Sequence, residues 1–241
     1  MDSKFAQQIL EKNTRDYEMI ASAFSDTRAH AGETMQLFAH AIPKGARVLD
    51  VGCGNGRMLD AFMGQDIEYT GLDVSSRMIA QAEARNKGVQ IPHRFIVGDM
   101  LALPFPDAAF DAVIEVSALH HIPSDGLRVQ AVREFARVLK PGSSLFLTDW
   151  NLWQPRMIIR YRLWHLLFGC ARKGHDRRDV YVRWKRGIDH PIDRYLHVFT
   201  KHEVRRLLVE SGFTIESQYY SLRGKPAQWW NGHRLVTIAR K

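Results

Sequence analysis

The chain has 241 residues, 45% hydrophobic and 25% charged, ordinary proportions for a globular protein with room for one large core. No run of about 18 apolar residues occurs, so no membrane-spanning helix is expected, and the start, Met1-Asp2-Ser3-Lys4-Phe5, lacks the basic and apolar stretches of a secretory signal. Two isolated cysteines, Cys53 and Cys170, make neither a disulfide framework nor a zinc site, which predicts a cytoplasmic setting and no bound metal.

The net charge of +8 is concentrated. Arg156, Arg160, Arg162, Arg172, Lys173, Arg177, Arg178, Arg183, Lys185 and Arg186 face only Asp176 and Asp179, so this stretch carries the whole excess. A basic patch of this kind predicts an anionic partner.

In chain order, residues 3–40 read as helical, with Phe5, Ile9, Leu10, Tyr17, Ile20, Ala21 and Phe24 at helical spacing. A strand–helix alternation starts at Arg47–Val51 and continues through Glu68–Asp73, a helix capped by Ser75, then Arg94–Val97 and Phe110–Val116. A helix over 126–139 stops at Lys140-Pro141-Gly142, and Leu145–Thr148 is the fifth strand. The alternation breaks for about fifty residues and resumes at Thr200-Lys201-His202-Glu203, a capping box. Strands near 213–220 and 235–239 close the chain. The pattern predicts one α/β domain: a doubly wound, mostly parallel seven-stranded sheet, Rossmann-like, with an antiparallel last strand. Residues 1–40 form N-terminal helices, 41–149 a cofactor-binding core, 150–199 a basic aromatic insertion on the substrate side, and 200–241 a closing helix and hairpin.

The turn Gly52-Cys53-Gly54-Asn55-Gly56 follows the first strand, with Asp50 two residues before it. Dinucleotide binders space such a turn G-x-G-x-x-G; G-x-G-x-G after an acid suits a cofactor that lacks a pyrophosphate but has a cationic amino-acid end. Further candidates fall at successive strand ends, where open α/β sheets bind ligands. Asp73, followed by Val74, can accept from ribose hydroxyls. Asp99 can accept from an adenine amino group while Met100 packs on the ring. Glu115, Val116 and Leu119 lie toward the methionine portion.

On these motifs, the stretch from about 46 to 149 resembles a class I S-adenosylmethionine-dependent methyltransferase, which implies that fold and S-adenosylmethionine as cofactor. Pro141-Gly142-Ser143 departs from the second glycine of many members. The flanks are similar to the tRNA wobble-uridine carboxymethyl methyltransferases: Tyr17–Ala21 and Phe24–Arg28 near the start, and Val180-Tyr181-Val182-Arg183-Trp184-Lys185 for V-x-V-P-W-K, with Arg183 replacing proline. Arg194–Phe199 matches R-Y-Y-H-L-F, and Trp229-Trp230 a C-terminal aromatic pair. This implies RNA binding at the anticodon loop of tRNA. Tyr17, Arg28, Arg183, Trp184, Lys185 and Tyr195 are then substrate-side candidates. Some relatives work with a small activator subunit.

Basic residues interleaved with aromatics suit phosphates and unpaired bases. A membrane surface is the weaker expectation, from apolar Met157–Phe168 with Arg160 and Arg162 among it. His120 and His121 are candidate general bases, or loop histidines that shape the pocket; an ionised carboxylate acceptor needs no base, a hydroxyl or carbon acid does. The competing readings are a quinone-type small-molecule methyltransferase, which shares the Leu119-His120-His121 neighbourhood, and a non-enzymatic RNA adaptor.

Overall fold

A computed structural model describes residues 1–168 and 173–241; Cys170 and Arg172 lie outside the described residues. Strands β1 (Ala46–Val51), β2 (Ile67–Asp73), β3 (His93–Val97), β4 (Phe110–Val116) and β5 (Leu139–Trp150) are followed by a hairpin of β6 (Asp179–Trp184) and β7 (Ile192–His197). The chain ends with β8 (Thr214–Leu222), β9 (Lys225–Ala227) and β10 (Arg234–Arg240). Helices are α1 (Ser3–Asp26), α2 (Glu33–Ala41), α3 (Ser76–Arg85), α4 (Asp125–Val138), α5 (Pro155–Tyr161), α6 (His165–Phe168) and α7 (Lys201–Glu210). Among the described residues, no helix is long and apolar enough to cross a membrane.

The main sheet has the order β3-β2-β1-β4-β5-β10-β8-β9. β1 to β5 pair in parallel, and β10 runs antiparallel to both β5 and β8. The expected seven strands are present, and short β9 adds an eighth by folding back on β8. Burial on both faces explains the near-continuous apolar strands. Alternate residues of β1 serve opposite cores: Leu49 and Val51 pack with Phe135 and Leu207, Val48 with Phe38 and Phe62. A third core under the β6–β7 hairpin joins Leu152, Leu163 and Leu166 to Val180, Val182 and Leu196.

Three local differences from the sequence expectation have physical reasons. Helix α4 ends at Val138, and Pro141 and Gly142 lie inside β5, whose register with β4 shifts between Phe110 and Ala112. The Gly-rich turn leads into a 3-10 helix (Arg57–Phe62) because three left-handed glycines close it tightly. At α7, the Thr200 hydroxyl accepts from the Glu203 amide at 3.2 Å, but the Glu203 carboxylate is taken by His197 Nε2 at 2.9 Å and by Arg178. The box is therefore half-formed. Its acid instead ties α7 to β7, where His197 also bonds Asp179 through Nδ1 at 2.7 Å.

Candidate active site

The β1 turn is fixed by its backbone. The Gly52 and Cys53 amides donate to the Leu72 carbonyl at 2.7 and 3.0 Å, and the Gly54 amide to Asp73 Oδ2 at 2.9 Å. Gly52 has φ +72° and a Cβ there would strike the side chain of Ala118, so the position demands glycine twice over. Gly56 packs on Asn86 and Phe95 and stays behind the turn.

A cavity of about 160 Å³ opens above this turn, at the carboxyl ends of β1, β2, β4 and β5. Of the cofactor candidates, Asp50, Gly52, Cys53, Gly54, Asn55, Asp73, Val74, Asp99, Met100 and Val116 line it. Gly56, Glu115 and Leu119 sit in the wall behind: Leu119 is buried in the core, and Glu115 Oε1 accepts from the amides of Ala118 and Leu119. Glu115 thus shapes the turn after β4.

Three carboxylates, Asp50, Asp73 and Asp99, line the cavity. Asp73 accepts from the Gly54 and Ser75 amides, one on each oxygen, which leaves a lone pair on both. Asp99 uses Oδ1 for the Leu101 amide. Asp50 is 2% exposed and accepts from the Tyr69 hydroxyl at 2.5 Å; burial pushes its carboxyl up to about 7. The donor set therefore fits S-adenosylmethionine.

Because the folded state holds the Asp50 proton more tightly than the unfolded chain, this group adds stability below about pH 4, and the contribution is lost as pH rises toward 7. A cationic ammonium beside it reverses the preference. Binding of S-adenosylhomocysteine, which keeps that ammonium, is therefore expected to release protons at pH 6. Calorimetry in buffers of different ionisation enthalpy would show it, and a buffer-independent heat would refute it.

The roof is α1, which brings Leu10, Asn13, Thr14, Tyr17 and Phe24 over the cavity, with Arg28 just past its end. Asn55 holds it by donating to Ser25 Oγ at 3.0 Å and to the Arg28 carbonyl at 3.2 Å. The two histidines differ in what they have to spare. His121 spends Nε2 on the Tyr17 hydroxyl at 2.7 Å and Nδ1 on the Tyr195 carbonyl at 2.8 Å, so it latches α1 to β7. His120 bonds Asp149 through Nδ1 at 2.7 Å and also lines the cavity. Burial keeps both imidazoles neutral, well below their ordinary range.

The substrate-side candidates divide. Tyr17 and Arg28 line the cavity. Arg183 pairs across the hairpin with Asp193 at 3.7 Å, and Lys185 is exposed. Trp184 stacks beneath Arg194 and beside Phe24. Tyr195 is fully buried and donates to Asp179 at 2.7 Å. Sequence reasoning passed over Arg57, Trp150, Arg194 and Arg234, all in the cavity wall. Arg194 had a signal, since strand alternation turns it away from Tyr195; Arg234, at the start of β10, had none.

Known proteins share parts of this architecture. Residues 49–147 match the family model described as a methyltransferase domain. A probable tRNA methyltransferase 9B from Homo sapiens is 29% identical over 188 residues, 78% of this chain but 36% of that protein. A tRNA (carboxymethyluridine(34)-5-O)-methyltransferase from Schizosaccharomyces pombe is 27% identical over 236 residues, 89% of this chain and 92% of that one. Among solved structures, a SAM-dependent methyltransferase from Methanosarcina mazei matches with a TM-score of 0.68 at 24% identity, covering 85% of this chain and 96% of that one. The putative methyltransferase in a complex with the Haloferax volcanii Trm112 activator matches with a TM-score of 0.66 at 19% identity, covering 95% and 96%. The chain thus carries a region that matches a methyltransferase domain, and it has the fold of class I methyltransferase structures. It spans between about a fifth and about a third of the length of the mammalian curated relatives it matches, and nearly all of the fission-yeast one.

Proposed function

We propose that the protein transfers a methyl group from S-adenosylmethionine to the carboxymethyl group of a tRNA wobble uridine, forming its methyl ester. The observation that carries this reading is an unmet demand for an anion. Arg28, Arg194 and Arg234 face the cavity, and among the described residues none forms an ion pair. Their partners are neutral: Thr27 for Arg28, the Tyr17 hydroxyl at 3.3 Å for Arg194, and the Ser117 hydroxyl for Arg234. Burial pulls Arg234 down to about 10. Of the three, Arg194 is the most fully buried, and a cation held there against neutral partners is costly; an acceptor carboxylate would relieve that cost.

When bound, the cofactor supplies an electrophilic methyl on a cationic sulfur. Asp50, Asp73 and Asp99 would hold it in the turn, and the arginines would align a carboxylate oxygen for in-line attack from the opposite side. The carboxylate is already ionised, so no proton moves, and neutral His120 orients the acceptor through its cavity-side nitrogen. Where α1 roofs the cavity, bringing anion to cation away from bulk solvent would favour their mutual neutralisation. Outside the cavity, exposed Arg156, Arg160, Arg162, Lys173 and Arg177 beside exposed Trp164 suit phosphates and unstacked bases. A small activator subunit, as in the haloarchaeal complex, belongs to the same reading, as does a cytoplasmic setting.

Mass spectrometry of tRNA nucleosides, with and without the gene, tests the acceptor. The methyl ester should vanish and the free acid accumulate in its absence; unchanged nucleosides would overturn the reading. The quinone-type alternative has one supporting observation, the buried Asp149 behind His120, which is the arrangement of a general base. Under that alternative, His120→Ala abolishes turnover; under the carboxylate reading it weakens acceptor binding while turnover at saturation survives.

A further inference from the structure

Beside the cofactor cavity lies a second pocket of about 180 Å³, several times one water's share of the liquid (~30 Å³). The two share Met35, Arg57, Val116 and Arg234 as a common wall. Three arginines line the second pocket, Arg57, Arg223 and Arg234, against one acid, the exposed Glu33. Arg57 makes no side-chain hydrogen bond or ion pair among the described residues, and burial together with Arg234 and Arg28 pulls it down to about 10. Two further lining residues, Thr148 and Ser221, are each 1% exposed, yet their hydroxyl oxygens have no hydrogen-bond partner among the described residues.

Unpaired buried hydroxyls are costly unless something bonds them. Here two of them, from β5 and β8, flank a patch of three guanidinium groups. Guanidinium forks and hydroxyl donors are the groups that recognise a phosphate oxyanion. The geometry points to a phosphate subsite on Arg57, Arg223, Thr148 and Ser221 that takes a backbone phosphodiester of the polynucleotide acceptor, beside the nucleotide that is methylated. This rests on the tRNA reading. It adds that the acceptor is gripped on the α2 and β8–β9 side of the cavity, away from the basic insertion.

The test is steady-state methyl transfer to carboxymethyl-bearing tRNA by the full chain, for the wild type, Arg223→Gln, Ser221→Ala and Thr148→Val. Loss of one charge-assisted phosphate contact should raise the KM for tRNA about tenfold in Arg223→Gln and make its salt dependence shallower by about one phosphate. Affinity for S-adenosylhomocysteine should not change, because Arg223 lies outside the cofactor cavity. Inorganic phosphate should compete with tRNA on the wild type and lose that effect in Arg223→Gln. Ser221→Ala and Thr148→Val should raise KM while raising the melting temperature of the free protein, which a merely structural role would not do.

Unchanged KM in Arg223→Gln overturns the subsite while leaving the acceptor reading intact. Weakened S-adenosylhomocysteine binding in that variant also overturns it, since the pocket would then serve the cofactor's carboxylate. A wild type that methylates no RNA refutes the acceptor reading itself, and the subsite with it.

Discussion

Arg194→Ala is expected to lower kcat/KM for the tRNA acceptor by about two to three orders of magnitude while S-adenosylhomocysteine still binds. Arg194 is 3% exposed, lies 4.9 Å from the Trp184 ring centre and 5.5 Å from that of Trp150, and donates to the Tyr17 hydroxyl. Its Nε has no partner. A buried charged donor of this kind is worth about 3–4 kcal/mol to the group it was placed to meet, which sets the size of the loss. The indole rings hold the guanidinium in place, so Arg194→Lys should recover little: an ammonium has neither the flat stacking face nor the fork. Steady-state kinetics beside calorimetry separate the two sides of the site. Near-wild-type kcat/KM in Arg194→Ala would remove the anion argument.

Asp73→Ala should raise the dissociation constant of S-adenosylhomocysteine by about a hundredfold or more. The carboxylate does two jobs: it binds the Gly54 and Ser75 amides at 2.9 Å each, and it presents its remaining lone pairs to the cavity. Without it both amides lose an anionic acceptor and the turn loosens, at a cost of about 3 kcal/mol or more. Helix α3 should survive, because Ser75 Oγ still accepts from the Met78 amide at 3.1 Å. Asp73→Asn retains one acceptor oxygen and should fall between. A circular-dichroism spectrum like that of the wild type, together with weak binding, is the expected pair of results; unaltered affinity would take Asp73 out of the cofactor site.

The glycine-turn side of the cavity was legible because it depends on backbone geometry that only certain residues allow. Gly52 must be glycine, Asp73 must follow a strand of set length, and β4 begins and ends at Phe110 and Val116 as its apolar run predicts. The acceptor half was legible as a region and not as residues. In the β6–β7 hairpin both faces carry buried residues: Val180, Val182, Trp184, Arg194 and Leu196 on the one that meets the third core and the cavity, Asp179, Tyr195 and His197 on the other. Hydrophobicity therefore does not distinguish the face that looks into the cavity, and Tyr195 reads as well as Arg194 until the register is known. Arg183 shows the same limit: its partner Asp193 is set by cross-strand pairing. Arg234 reaches the site from β10, which pairs with β5 across a long stretch of chain, and long-range sheet order of that kind leaves no local mark.

Helix α1 touches everything that the reaction has to bring together. Its Lys12 bonds the carbonyl of Asp193 at 2.8 Å, Asn13 that of His121 at 2.9 Å, and Tyr17 both His121 and Arg194. The roof of the cavity is thus also the brace for Arg194. A helix fastened at both stations works as a beam: strain at one end is carried to the other. Opening the cavity beneath it then draws on a single set of hydrogen bonds.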